Sequence, residues 1–263
     1  MMHTREEQLK AIERLLNIMD ELREKCPWDR KQTLESLRHL TIEETYELAD
    51  AILDNDLTEI KKELGDLLLH IAFYSKIGSE KNAFDIADVA HGISNKLVDR
   101  HPHIYGDVEV QSEEDVKKNW EKLKLKEGNK SVLSGVPKSL PAMVKASRIQ
   151  DKVAAVGFDW DQKEQVFEKV KEELEELTKE VNDNNQDQIE AEFGDVLFSM
   201  INYARFLNIN PENALERTNK KFIKRFQWIE NAIAQEEKDM QKMSLKEIDV
   251  FWEKAKKRER TNE

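Results

Sequence analysis

One cysteine, five prolines and eight glycines occur in 263 residues, and aromatic side chains make up only 7%. The lone Cys26 excludes an intramolecular disulfide framework. So few prolines and glycines argue against a fold built on many tight turns. No segment approaches the ~18 consecutive apolar residues of a membrane helix, and the longest candidate, Leu67 to Tyr74, is broken by His70. The opening Met1-Met2-His3-Thr4-Arg5 lacks the apolar stretch of a secretory signal. Basic residues are outnumbered too, 42 Lys and Arg against 54 Asp and Glu, for a net charge of -12. That balance argues against a broad grip on duplex nucleic acid. It leaves open a small polyanion approached through a bound cation. The expectation is a cytoplasmic protein with neither membrane nor duplex nucleic acid as partner.

What remains is charge and helical periodicity. Charged residues are 37% and apolar residues 39% of the chain. The apolar ones step at three and four: Leu9, Ile12, Leu15, Leu16 and Met19, then Leu64, Leu67, Leu68 and Ile71. Alternating strand-type runs are nearly absent, so the fold class is all-α, with about five helices in each half. Thr41 reads as an N-cap, and Ser112 with Asp115 as a capping pattern. The one linker lies between Glu127 and Pro141, where Gly128, Gly135, Pro137 and Pro141 gather. It divides the chain into residues 1–130 and 131–263.

The halves repeat. Glu43-Glu44-Thr45-Tyr46-Glu47 corresponds to Glu172-Glu173-Leu174-Glu175-Glu176, and Glu63-Leu64-Gly65-Asp66 to Glu192-Phe193-Gly194-Asp195, both at an offset of 129. Leu48/Leu177, Leu68/Leu197 and Tyr74/Tyr203 keep the register. Downstream, Lys96 and Arg100 match Lys221 and Arg225, and Trp120 to Lys124 matches Trp252 to Lys256.

Each repeat thus carries the same polar set. Residues three and four apart share a helix face, so Glu44 with Glu47, Glu63 with Asp66, Glu173 with Glu176 and Glu192 with Asp195 form paired carboxylates. If the two helices of a repeat pack antiparallel, four carboxylates converge. Exposed like charges at this spacing cost ~0.2–0.5 kcal/mol per pair, a penalty a cation removes. A solvated acidic face is the ordinary explanation of one such run. Its recurrence in register, beside Gly65 and again beside Gly194, argues for a site. A glycine inside a helix costs ~1 kcal/mol against alanine, so a repeated one implies close approach by another helix or a ligand. All-oxygen ligands suit Mg²⁺ first and Mn²⁺ second. A di-iron bundle would need Glu-x-x-His, where Asp66 and Asp195 stand instead. His70, whose counterpart is Ser199, reads as a packing or hydrogen-bonding residue.

With EExxE and ExxD present twice, flanked by Cys26-Pro27-Trp28-Asp29, Arg100-His101-Pro102-His103 and Gly157-Phe158-Asp159-Trp160, the chain resembles the two-repeat MazG-type nucleoside triphosphate pyrophosphohydrolases of the all-α NTP pyrophosphatase superfamily. The resemblance covers nearly the whole chain. It implies two tandem helical repeats whose bundles are completed by homodimerisation, and Mg²⁺-dependent cleavage of nucleoside triphosphates to monophosphate and pyrophosphate. Carried over, it makes Glu173, Glu176, Glu192 and Asp195 metal ligands, with Glu44, Glu47, Glu63 and Asp66 as first-repeat counterparts. Lys169, Glu172, Lys221, Arg225, Trp252 and Lys256 would contact the nucleotide, and Glu172 is one candidate to activate water. Lys169 has Leu40 as its first-repeat counterpart, so the second repeat is expected to carry most of the activity. The competing reading is a non-catalytic helical scaffold, or a nucleotide- or metal-sensing module that keeps the acidic faces.

Overall fold

Thr4 starts the first helix. Its side chain accepts from the Glu7 amide at 3.3 Å, while the Glu7 carboxylate accepts from the Thr4 amide at 2.7 Å. The helix α1 (Arg5–Lys25) follows, with acidic residues in its first turn and basic ones in its last. The computed structural model describes residues 3–112, 116, 119 and 131–262, and among them every regular element is helical. Two compact units result, Met1–Asp115 and Val116–Glu263. The repeat match at Trp120–Lys124, the Asp115 half of the capping pattern and the first part of the linker lie outside the described residues.

In the first unit, α2 (Leu34–Leu53) and α3 (Leu57–Glu80) form a hairpin, flanked by α1 and α4 (Ile86–Arg100), with the single turn α5 (Pro102–Tyr105) against α4. Asn55 bends the chain between α2 and α3 in the left-handed region, φ 55°. The core is Met19, Leu37, Phe73 and Ile77, with Leu34, Leu40, Leu69 and Tyr74 packed around it. Each such side chain contributes roughly 1.5–3 kcal/mol of hydrophobic burial. Gly78 is required: a Cβ there would lie 2.7 Å from the Phe84 ring.

One helix start departs from the sequence reading. Thr41 is not an N-cap but sits inside α2, because Thr33 caps that helix two turns earlier in a reciprocal pair with Ser36. The Thr41 hydroxyl bonds to the Leu37 carbonyl at 3.1 Å, and lies 2.6 Å from both His70 Nδ1 and Tyr74 Oη. His70 is therefore the buried hydrogen-bonding residue that its unmatched position suggested.

The second unit repeats the hairpin. After α6 (Ala142–Ala154) and a turn through Gly157, at φ +90°, come α7 (Lys163–Asp183) and α8 (Gln186–Phe206). Both hairpin helices start 129 residues after α2 and α3, and Asn184 takes the place of Asn55 with the same φ of 55°. Next, α9 (Pro211–Gln235) packs on α10 (Leu245–Asn262) through Ile229, Ile233, Phe251 and Ala255. Five helices are thus described in each unit.

The glycine expectation fails within the chain. A Cβ on Gly65 or Gly194 meets nothing within 4 Å. Among the described residues, no other segment approaches these helices closely at either glycine.

Candidate metal and nucleotide site

The hairpins bring together residues about twenty apart in sequence. In the first unit, Glu44 of α2 and Glu63 and Asp66 of α3 each offer a carboxylate oxygen within 4.8 Å of the others. In the second, Glu173 and Glu176 of α7 do the same with Glu192 of α8. Glu47 and Asp195 fall outside these sets. Glu47 lines a small acidic cleft with Glu63, and Asp195 lines a larger cavity with Glu173.

Crowding leaves its mark on protonation. Burial, then the charges of Asp66, Glu47 and Glu63, push the Glu44 carboxyl above its ordinary pKa. Glu176 is raised likewise, by desolvation and then by Glu173 and Glu192. Glu63 is 2% exposed; Lys62 holds one of its oxygens at 2.9 Å, and the other, Oε2, has no hydrogen-bond partner. A buried carboxylate oxygen left unpaired is costly. Carboxylates gathered around it form the donor set of a hard cation, so both clusters are fit to hold a metal ion.

Lys169 separates the units. It lies 2.7 Å from Glu173 and donates to Glu172 at 2.8 Å, and those bonds drive its pKa further up, so it stays cationic beside the cluster. Leu40, at the equivalent place in α2, joins the hydrophobic core instead.

The remaining predicted nucleotide contacts gather elsewhere in the second unit. Arg225 of α9 donates to Glu259 at 2.8 Å and lies 5.5 Å from the centre of the Trp252 ring. Lys256 pairs with Glu253 at 2.7 Å. Lys221 and Arg225 line a cavity of about 560 Å³ with Lys220, Lys224, Trp228 and Arg258. None of the four candidate carboxylates of α7 and α8 lines that cavity. The predicted set therefore falls into an acidic group on α7–α8 and a basic group on α9–α10.

Sequence reasoning missed a third feature. A cavity of about 580 Å³ adjoins the carboxylates, and Lys169, Glu173 and Asp195 line it together with Gln150, Ser199 and Asn202. The segment Gly157-Phe158-Asp159-Trp160 forms part of its wall. That segment stood out in the sequence without a role. Gln150 and Asn202 lie in ordinary helical stretches and carried no signal.

Known proteins match along the whole of this layout. The profile of the MazG nucleotide pyrophosphohydrolase domain fits residues 32–105 and again 161–229, the stretches that hold the two hairpins. A Thermotoga maritima protein named nucleoside triphosphate pyrophosphohydrolase/pyrophosphatase MazG is 43% identical over 250 residues, covering 93% of this chain and 95% of its own. The Escherichia coli nucleoside triphosphate pyrophosphohydrolase is 38% identical over 260 residues, 95% of this chain and 99% of its own. An uncharacterized Bacillus subtilis protein, YabN, is 46% identical over 239 residues, 89% of this chain and 49% of its own. With a twice-matched domain and full-length relatives, the chain belongs to the MazG nucleotide pyrophosphohydrolase family.

Proposed function

We propose that this protein hydrolyses nucleoside triphosphates to the monophosphate and pyrophosphate, with Mg²⁺ as the working ion and Mn²⁺ as a substitute. The observation that carries the reading is the convergence of Glu173, Glu176 and Glu192 beside the cationic Lys169. When bound, Mg²⁺ supplies charge neutralisation for the triphosphate and for the pyrophosphate leaving group. Glu173, Glu176, Glu192 and Asp195 hold the ion in the second unit, as Glu44, Glu47, Glu63 and Asp66 do in the first. Lys169 faces the phosphates, and Glu172, tethered to it, orients or deprotonates the attacking water. Lys221, Arg225, Trp252 and Lys256 take the rest of the nucleotide, Arg225 by its planar fork and Trp252 by its ring face.

The second unit carries most of the turnover. Leu40 gives the first unit no cation where Lys169 stands, and a buried pair fills its interior: Phe73 and His70 occupy the positions of Asn202 and Ser199. The domains meet at 130/131, and the protein works as a homodimer in which a second copy covers α3 and α8. A non-catalytic scaffold would keep the acidic clusters but release no product. Incubation with a panel of triphosphates, with Mg²⁺ or with EDTA, separates the two. Pyrophosphate and monophosphate in equal amounts, with Mg²⁺ only, are expected. Phosphate with diphosphate, or no product from any nucleotide, would refute the proposal.

A further inference from the structure

We propose that Arg205 is a positioning residue of the second unit: its fork on Asp159 pins the loop of residues 157–160 to α8, and substrate affinity depends on that pin. The inference rests on the triphosphate reading above and adds to it a pair of residues that act through the loop. The loop joins the end of α6 to the start of α7, the helix of Lys169 and Glu173. Backbone bonds close its near end, from the Gly157 amide to the Ala154 carbonyl at 2.9 Å and from the Phe158 amide to the Val153 carbonyl at 3.0 Å. Gly157, at φ +90°, has no side chain to restrain it, so the backbone can pivot there. Beyond it Phe158 is 80% exposed and Trp160 45% exposed, so neither ring is buried deeply enough to anchor the loop. Yet residues 157–160 all line the cavity that Lys169, Glu173 and Asp195 also line.

Asp159 supplies the anchor. Arg205 Nη1 donates to Asp159 Oδ2 at 2.9 Å and Nη2 donates to Oδ1, the two-pronged match of guanidinium to carboxylate. The guanidinium is itself held on α8, where Asn202 Oδ1 accepts from Nε at 3.1 Å and from Nη2 at 2.9 Å. Asp159 Oδ1 also accepts from the Trp160 amide at 2.9 Å, so one carboxylate orders the loop backbone and ties it to α8. With side chains 24% and 27% exposed, the pair is better sheltered than an ordinary surface bridge. A lysine would keep the charge and lose the fork.

The first unit is built otherwise. At the offset of 129, Lys76 stands for Arg205 and Phe73 for Asn202. Lys76 pairs with Asp20 of α1 at 2.7 Å, and Phe73 is buried in the core. The corresponding loop is held through its carbonyls, by Arg23 of α1 on Asp29 and Gln32. The fork therefore belongs to the unit that carries Lys169.

The test measures kcat and KM for ATP in the wild type, Asp159→Asn, Arg205→Lys and the double variant, with chymotrypsin cleavage after Phe158 as a second readout. KM does not depend on how much of a sample is folded, so partial loss of protein leaves the comparison intact. Each single variant should raise KM by about tenfold, the scale of one charge-assisted hydrogen bond, with kcat within about twofold of wild type. The double variant should be no worse than either single, because both act through one contact. Cleavage after Phe158 should quicken in all three variants at a temperature well below melting. Unchanged KM in both single variants, or a fall in kcat with KM unchanged, would overturn the proposal. So would a double loss equal to the product of the two singles, or cleavage at the wild-type rate. If the wild type releases no pyrophosphate from any triphosphate, the underlying activity fails, and the cleavage rates still decide whether the fork pins the loop.

Discussion

Glu63 compresses the chemistry of the clusters into one side chain. It is a buried carboxylate with one oxygen on Lys62 and the other without a partner, amid Glu44 and Asp66. A cation relieves the repulsion in the folded state alone, so Mg²⁺ should raise the melting temperature above its value in EDTA, by about 2.7 kcal/mol of stability at a hundredfold excess over Kd. In the Glu63→Gln/Glu192→Gln double variant most of that rise should disappear, as read by scanning fluorimetry. An unaltered rise would place the ion elsewhere. Glu80 illustrates the opposite sign. Its bond to Arg23 holds its carboxyl below the ordinary value of 4.5. A depressed folded pKa stabilises above the unfolded value, and that contribution is lost as pH falls through the folded one. Glu80→Gln should therefore cost under about 1 kcal/mol at neutral pH, and the difference from wild type should vanish in acid. Urea unfolding across pH measures it.

At the scale of elements, much was legible because helices report their own periodicity. The apolar steps and the doubled EExxE and ExxD blocks located both hairpins, and the offset of 129 reappears in their starts. Thr41 misled because a threonine inside a helix can satisfy its hydroxyl on the carbonyl four residues back, as it does on Leu37. Gly65 and Gly194 misled in a different way: a Cβ at either would meet only open space, so no neighbouring helix among the described residues accounts for them. The cavity beside the second cluster was illegible because Gln150 and Asn202 come from helices some fifty residues apart, and neither type is unusual in a helix. The hairpin tips offer a clean test. Asn184 sits at φ 55°, where a Cβ-bearing residue other than Asn or Asp is strained. Asn184→Ala should cost about 1 kcal/mol in urea unfolding, and Asn184→Gly should recover it. Equal stability of the two variants would remove the strain argument.

For the molecule as a whole, the apolar surface is the unfinished part. Phe193, Leu197 and Met200 of α8 are 55%, 48% and 47% exposed, beside the open Cβ position of Gly194. Leu64, Leu68 and Ile71 of α3 are also exposed, next to Gly65. Surfaces of this kind are ordinarily covered by a partner, and sedimentation should give a dimer mass, with Phe193→Glu shifting it toward the monomer. A monomer at micromolar wild-type protein would contradict the proposed assembly. The central claim, that the second cluster holds the ion of a pyrophosphohydrolase, is tested most directly by pyrophosphate release from two isosteric variants at equivalent positions. Glu192→Gln should lose at least about a hundredfold in kcat, roughly 2.7 kcal/mol of barrier, while Glu63→Gln keeps most of the wild-type rate. A greater loss in Glu63→Gln than in Glu192→Gln would contradict it.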